Sequence, residues 1–562
     1  MRSCCSAPLL SVTVLSATLL LSFSGCTNEG SSGSSGGGGS TNTGGSTASG
    51  GTGTGGTTPS GEAIPSDPVT PPETGSHKTY DVGPGKAYEE PDTVPWGALV
   101  AGDVVNIYYR DAPYKTKLCL RGQGTADAPI VVNGVTDASG HRPVFDFDGS
   151  RTASGCNPGG DDDIFDTSSQ YSLEDYAGIL IRPGVSDPYG TKPSHIVIKN
   201  LELRAARPGA TFTNLLGQVV PFSDSPAGIW IQPSADVVIQ NDVIHDHGFG
   251  VFTMAKDSTL DQACERIVLR SNRIYGNGVV GSYLEHNVYM QSTNPLVEAN
   301  YFGVTRQGSE GATYKSRSSG EIFRYNYVEA SARAIDWVHS EDQTPGIATA
   351  PDYGTDYAYG NIIVNDCSLG NCASNPIHYG GDNLGEQESV PEEFVPSTPY
   401  RSHLYFYSNT LVERVSQNDS WRATAFDLSL RKTHVDTWNN LFSFEGDSNF
   451  SWVELAGELS LLGNFSYGMP APASDQALME NYALSYGELN VGGDPMFASA
   501  ADLHPGAGSK AIDAAVAVPL SAMPDPKYAE LPVTMEPHLQ TNGMSVRKVN
   551  GKAMDMGALE GL

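Results

Sequence analysis

The feature that most restricts what this chain can fold into is a degenerate repeat: a short β-type run, an Asn, then another apolar pair. It reads HIVIKNLEL at Asn200, DVVIQNDVI at Asn241, IVLRSNRIY at Asn272, PLVEANYFG at Asn300 and EIFRYNYVE at Asn326. It continues as DYAYGNIIV at Asn361, HLYFYSNTL at Asn409, HVDTWNNLF at Asn439 and LSLLGNFSY at Asn464. Successive asparagines are 41, 31, 28, 26, 35, 48, 30 and 25 residues apart. The shortest intervals set a turn of about 25 residues, and the longer ones add loops to it. Helical periodicity is absent over the same region.

Short strands, an Asn at a sharp bend and variable insertions predict an all-β fold, a right-handed parallel β-helix built as one solenoid with loop insertions. Asn tolerates the left-handed backbone that such a bend requires. Stacked Asn side chains also hydrogen-bond along a ladder. About twelve residues before each Asn in the compact coils lies a further strand: GIWIQ (228–232), NVYMQ (287–291) and TYKSR (313–317). GILIR (178–182), GVFTM (250–254), AIDWV (334–338) and PIHYG (376–380) fit the same slot with longer turns.

Alternate strand residues share a face. Ile229/Ile231, Val288/Met290 and Ile335/Trp337 therefore point inward. The outward column reads Leu180, Trp230, Phe252, Tyr289, Lys315, Asp336 and His378. Beside it run Arg182, Gln232, Met254, Gln291, Arg317, Val338 and Gly380. Aromatic groups at one end and ionisable ones further along suit an elongated polysaccharide: rings stack on sugar faces and charges act at the cut. Trp230, Gln232, Gln291, Arg182 and His378 are the substrate-binding candidates. Cross-strand pairing that merely stabilises the sheet is the competing account, with Lys315 and Asp336 as a surface ion pair.

The coils resemble the right-handed β-helix proteins, which include pectate lyases, chondroitinase B and alginate lyases. The resemblance spans about 175–470. GDVVNIYYRDAPY and GTADAPIVVNGV resemble first coils, and DPMF, SKAID and MDMGALE resemble closing segments. Within ATYKSRSSGEIFRYN, the Lys-Ser-Arg run is similar to the lysine coil of the chondroitinase B and alginate lyase group. Where that group has an arginine one coil later, this chain has Asp336 and Val338, with Arg333 close by. Of its calcium-binding acids, only Glu310 has a counterpart before the lysine, so Ca²⁺ enters as a possible cofactor through Glu310.

Three activities are compatible with this face. In β-elimination of a uronate polysaccharide, Lys315 serves as base, activated by the neighbouring charge of Arg317. Arg317 grips the carboxylate with two prongs, and Tyr289 or His286 is the acid. In glycoside hydrolysis, Asp336 is one carboxylate and Asp382 or Asp427 the other. A non-catalytic protein binding glycans or cells is the third. The lyase is the preferred reading.

Other clusters carry less weight. His245-Asp246-His247 resembles a metal trio but follows a bend, where small polar residues are common. Asp161, Asp162, Asp163 and Asp166 suit calcium or a solvated loop equally. His434 lies on a coil strand and reads as packed or exposed rather than catalytic.

The N-terminus sets the address. Residues 1–25 carry Arg2, an apolar stretch from Leu9 to Leu21, then small residues, the layout of a secretory signal. Phe23-Ser24-Gly25-Cys26 resembles a bacterial lipobox, with Phe23 where Leu is usual, which implies lipidation of Cys26. Gly, Ser, Thr and Pro dominate 26–76, a flexible tether. The solenoid follows over 77–490 and a closing segment over 491–562. Thr27, in place of the Asp that retains lipoproteins at the inner membrane, points to the outer membrane or cell surface, reached through the lipid alone. Lys and Arg total 33 against 64 Asp and Glu, a formal charge of −31, which disfavours nucleic-acid partners. The expected partner is a polysaccharide substrate, and the expected state a monomer. Five cysteines remain after Cys4, Cys5 and Cys26. Cys367–Cys372 and Cys119–Cys156 are the expected pairs, with Cys264 left over.

Overall fold

The computed structural model describes residues 77–157, 165, 173–257, 259–330, 333–340, 346–370, 375–381, 401–415, 422–429, 433–446, 449–455, 457–469, 483–486, 490–526 and 529–561. Cys26, the signal and tether, Asp161 to Asp163, Asp166, Cys372 and Asp382 lie outside them. No helix among the described residues is long and apolar enough to cross a membrane.

Three long parallel sheets carry the chain. One coil illustrates the path: Ala227–Ile231 lies in the second sheet, Ala235–Gln240 in the first and Val243–His245 in the third. Phe249–Thr253 then returns to the second sheet, one coil on, parallel to Ala227–Ile231. Among the described residues, antiparallel pairing is confined to two short hairpins, Thr211–Thr213 with Val219–Pro221 and Met535–Pro537 with Met544–Val546. The molecule is a parallel β-helix. Its interior is filled by alternate strand residues, among them Ile229, Ile231, Val288, Met290, Ile335 and Trp337, all fully buried.

The bend divides between two adjacent residues the two jobs that the repeat assigns to its Asn. Asn200, Asn241 and Asn439 do adopt left-handed backbone, with φ of 63°, 54° and 54°. In other coils that slot holds Ser271, Ala299, Tyr325, Gly360, Ser408 or Gly463, and the repeat's Asn comes next. Asn272, Asn300, Asn326, Asn361, Asn409, Asn440 and Asn464 form the buried ladder. Asn272 shows the pattern: its backbone N–H and Nδ2 donate to Asn300 Oδ1 at 2.9 and 3.0 Å, and Nδ2 also donates to Ile239 O at 2.8 Å. Asn is required there because one side chain supplies both a donor and an acceptor to backbone that turns away from the sheets. The expected ladder member Asn439 is thus replaced by Asn440. Asn241 and Asn200 belong to a second, partly exposed run, Asn241 Nδ2 to Asn200 Oδ1 at 2.7 Å and Asn200 Nδ2 to Asn133 Oδ1 at 2.9 Å. At the start of the buried ladder stands Asp242, whose Oδ1 accepts from Leu201 N at 2.7 Å.

Because Ser271 is left-handed (φ 54°) and only partly buried, Ser271→Asn is expected to raise stability by roughly 0.5 kcal/mol, read from urea midpoints. A loss of stability would show that the slot selects for side-chain volume rather than backbone conformation.

The C-terminal segment was expected to close the solenoid. Much of it runs back along the outside of the coils. Val516, Leu520, Met523, Leu531 and Val533 pack on Tyr357, Tyr359, Tyr405, Tyr407 and Trp438 of the first sheet. Tyr357 and Tyr407 donate to Pro524 O and Leu531 O, each at 2.6 Å. Farther back, Gly543 N reaches Ala299 O at 2.7 Å. Outward tyrosines on a sheet are an apolar surface with polar tips, and the returning chain satisfies both parts. Cys119 and Cys156 form a disulfide, Cys367 is disulfide-bonded, and Cys264 is a buried free thiol.

Candidate active site on the second sheet

The outward column of the second sheet follows the predicted register. Leu180, Trp230, Phe252, Tyr289, Lys315, Asp336 and His378 are successive partners. The column continues through Asp427 to Glu454 on two strands, Arg422–Leu428 and Asn449–Leu455, not placed in it from sequence. Coils about 4.8 Å apart turn this register into a continuous line of side chains.

Its aromatic end is covered. Trp230 and Phe252 are 6% and 8% exposed, with ring centroids 4.3 Å apart, and Tyr176 meets Trp230 edge-on at 5.2 Å. Tyr176 belongs to the short helix Leu173–Tyr176 in a loop inserted between coils. The expected sugar platform at Trp230 is therefore part of the core. Arg182, Gln232 and Gln291 are also buried, and Gln291 Oε1 accepts from Ala255 N at 3.2 Å. All four residues read as substrate contacts are thus buried side chains of this face. Insertions between strands cover a face that strand periodicity alone leaves open.

Farther along lies a dense charged network. Lys315 Nζ is 3.2 Å from Asp336 Oδ2, and Arg333 Nη1 is 3.1 Å from Asp336 Oδ1. His378 Nδ1 is 2.7 Å from the same Oδ1, and its Nε2 is 3.1 Å from Ser429 Oγ. Arg333 Nη2 reaches Asp427 Oδ2 at 3.2 Å, and Asn375 Nδ2 bridges Asp427 and Glu454 at 3.0 and 3.2 Å. Burial pushes the Asp336 carboxyl up, but Lys315, His378 and Arg333 outweigh it and hold that carboxyl well below the usual range. Asp336 is thus a fixed anion. His378 is fully buried and serves this network rather than an exposed sugar contact. Lys315 was expected to take its character from Arg317. It forms an ion pair with the Asp336 carboxylate.

Tyr289 and Lys315 are the members of the column between Leu180 and Asp427 that remain partly open to solvent. Arg317 Nε donates to Tyr289 Oη at 2.7 Å, and Arg317 Nη1 donates to His339 O at 2.7 Å. Lys315 Nζ lies 5.8 Å from the Tyr289 ring centroid. His286 stands perpendicular to Tyr289 at 5.5 Å, and its Nδ1 accepts from Ala312 N at 2.9 Å. A lone pair used at Nδ1 places the imidazole proton of neutral His286 on Nε2.

Beneath these strands, inside the cylinder, sits a buried ionic cluster that the sequence did not announce. Arg401 Nη2 pairs with Glu321 Oε2 at 2.8 Å, its Nε pairs with Asp356 Oδ2 at 3.0 Å, and its Nη1 donates to Ser316 O at 2.8 Å. Tyr314 Oη and Trp337 Nε1 donate to Glu321 Oε1 at 2.6 and 3.1 Å, and Tyr379 Oη donates to Asp356 Oδ2 at 2.8 Å. Tyr314, Ser316, Trp337 and Tyr379 are the inward neighbours of Lys315, Asp336 and His378. Inward hydrogen bonds thus hold the strands whose outward side chains form the site.

Glu310 is exposed on a loop and stands in no group of three or more His, Cys, Asp or Glu ligands among the described residues. The His245-Asp246-His247 trio is dispersed. His247 is buried between Ala206 N and Leu203 O, with burial driving its pKa down to about 3. Asp246 pairs with Arg306 at 2.8 Å, and His245 stacks on Tyr275 at 5.2 Å.

No protein-family model matches the sequence, and no curated protein matches it. Among solved structures the chain is similar to pectate lyase Pel9A at 11% identity, over 87% of this chain and 97% of that one, with a TM-score of 0.44. It is similar to an alginate lyase from Paenibacillus sp. str. FPU-7 at 12% identity, over 71% and 96%, with a TM-score of 0.32. A GH136 lacto-N-biosidase from Eubacterium ramulus gives 12% identity, over 74% and 68%, with a TM-score of 0.37. The β-helix assignment stands on this chain's own strand register.

Proposed function

We propose that the protein is a polysaccharide-active enzyme that cleaves an acidic, uronate-containing chain by β-elimination at Tyr289, Lys315 and Arg317. The observation that carries this reading is Lys315 beside the Tyr289 phenol on the solvent-reaching stretch of a charged column, with the buried Arg317 guanidinium donating to the phenol oxygen from below. Elimination needs the sugar carboxylate neutralised, the adjacent proton removed and the leaving oxygen protonated. Arg317 supplies positive charge beside the carboxylate, and Lys315 in its neutral form takes the adjacent proton. As the bond to the leaving oxygen breaks, Tyr289 gives that oxygen its proton and regains one from Lys315, with His286 behind it. Hydrolysis through Asp336 and Asp427 is less well supported, since Arg333 binds both carboxylates and both are buried. Export and lipidation at Cys26 remain part of the proposal on the N-terminal sequence alone.

The test is ultraviolet absorbance of unsaturated uronate when the protein meets a panel of uronate polysaccharides, with and without calcium. Tyr289→Phe and Lys315→Ala are expected to lower turnover at least about 100-fold while the circular dichroism spectrum is retained. Unchanged turnover in both variants would overturn the assignment of the site. Absence of an unsaturated product with every substrate would overturn elimination, and retained glycan binding without new reducing ends would identify a binding protein.

A further inference from the structure

On the outer face of the first sheet, away from the column just described, three potential metal ligands converge. His403 and His434 begin two adjacent parallel strands, His403–Tyr407 and His434–Trp438, and are direct partners in register. Asp436, two residues beyond His434, projects from the same face. His403 Nε2 lies 3.0 Å from Asp436 Oδ2, and His434 Nε2 lies 2.8 Å from Asp436 Oδ1. The ligand atoms of the three residues all fall within 4.8 Å of one another. Their side chains are 31%, 30% and 18% exposed, open enough for an ion to enter.

We propose that His403, His434 and Asp436 bind a divalent transition-metal ion of the zinc type. Bond lengths of 2.0–2.2 Å to nitrogen and oxygen in a tetrahedron separate neighbouring ligands by about 3.3 Å. The two imidazole nitrogens stand 3.0 and 2.8 Å from the two oxygens of Asp436, and one ligand atom of each residue falls within 4.8 Å of the others, so side-chain rotation brings the three to that spacing. Two imidazoles and one carboxylate select zinc-like ions over calcium, which takes oxygen ligands. Three protein ligands leave a fourth position for water.

The surroundings supply the outer contacts that such a site uses. Glu458 Oε2 is 3.1 Å from His434 Nδ1, so a proton held there leaves Nε2 to face the ion. Ser460 Oγ lies 3.2 Å from His434 Nε2, placed to hold the fourth-position water. Glu458 is the register partner of His434 on the next strand, so the arrangement spans three coils. Without an ion, the short contacts to Asp436 are hydrogen bonds, and Asp436 first and Glu458 next favour the protonated imidazole of His434. Metal binding displaces that proton from Nε2, which returns to solvent.

Zinc titration of the purified full-length protein, followed by calorimetry and by thermal midpoint, tests the site. A rise in midpoint with Zn²⁺, none with Ca²⁺ at equal concentration, and tetrahedral visible bands with Co²⁺ are expected. His434→Ala and Asp436→Asn should each weaken zinc affinity at least about 100-fold, and Glu458→Gln about 10-fold. His403→Gln, a milder change, covers the case in which another variant fails to fold. Zinc affinity unchanged in His403→Gln and in any folded ligand variant would overturn the site. Equal responses to Zn²⁺ and Ca²⁺ would do the same.

Discussion

Arg401→Met is expected to lower the free energy of unfolding by about 3–5 kcal/mol at neutral pH. Arg401 is completely buried, with Glu321 and Asp356 as its two carboxylate partners. Removing the guanidinium leaves both inside the cylinder with hydrogen bonds but no cation. Burial pushes the Glu321 carboxyl up and Asp356 adds to it, while Arg401 opposes both. The variant therefore raises Glu321 further. A carboxyl raised in the folded state stabilises fully below its unfolded pKa, and the contribution is lost as pH rises through the folded value. The deficit of Arg401→Met should thus be largest near neutrality and shrink in acid. Adding Glu321→Gln should recover part of it. Urea unfolding at two pH values measures both, and a pH-independent loss would show that packing, not charge, is what Arg401 supplies. Because Ser316 and Trp337 share strands with Lys315 and Asp336, turnover should fall even where the variant remains folded.

Asp242→Asn is expected to act in the opposite direction, stabilising the protein by up to about 4 kcal/mol above pH 7. Asp242 stands in the buried Asn ladder, where its Oδ1 is used and its Oδ2 has no hydrogen-bond partner. Burial raises its carboxyl from 3.8 to about 7, opposed by the Leu201 N–H and by Arg142. With the folded pKa raised, stability is present below the unfolded value of 3.8 and is lost as pH climbs through about 7. The substitution removes that loss, so wild type and variant should agree near pH 4 and diverge progressively toward pH 8. Asn also restores a donor at the ladder position, equivalent to Asn272 Nδ2 reaching Ile239 O. The difference in thermal midpoint across that pH range is the measurement. A variant no more stable at pH 8 would mean that Oδ2 is satisfied by a bound water.

Both predictions concern groups inside the solenoid, and they mark where sequence reading succeeded and failed. The column from Leu180 to His378 was legible because a two-residue strand period and a recurring Asn bend place each strand within its coil. Asp427 and Glu454 were harder to place, since insertions lengthen the coils before them. The bend itself was half legible: Asn marked its location, but its role as buried donor and acceptor came from the residue beside the left-handed one. His434 drew attention as a strand histidine, but its partner His403 lies 31 residues earlier and becomes its neighbour only through coil stacking.

The sequence by itself determined the architecture and the strand register, because both follow from local periodicity. The tertiary structure decided which outward residues reach solvent. Trp230, Gln232 and Arg182 share a face with Lys315 but are buried, Trp230 against Tyr176 of an inserted loop, and no strand pattern reports that burial. It also decided which charges meet. Arg401 is 80 residues from Glu321 and 45 from Asp356, and only stacked coils bring them within 3 Å in a medium where unpaired charge is costly.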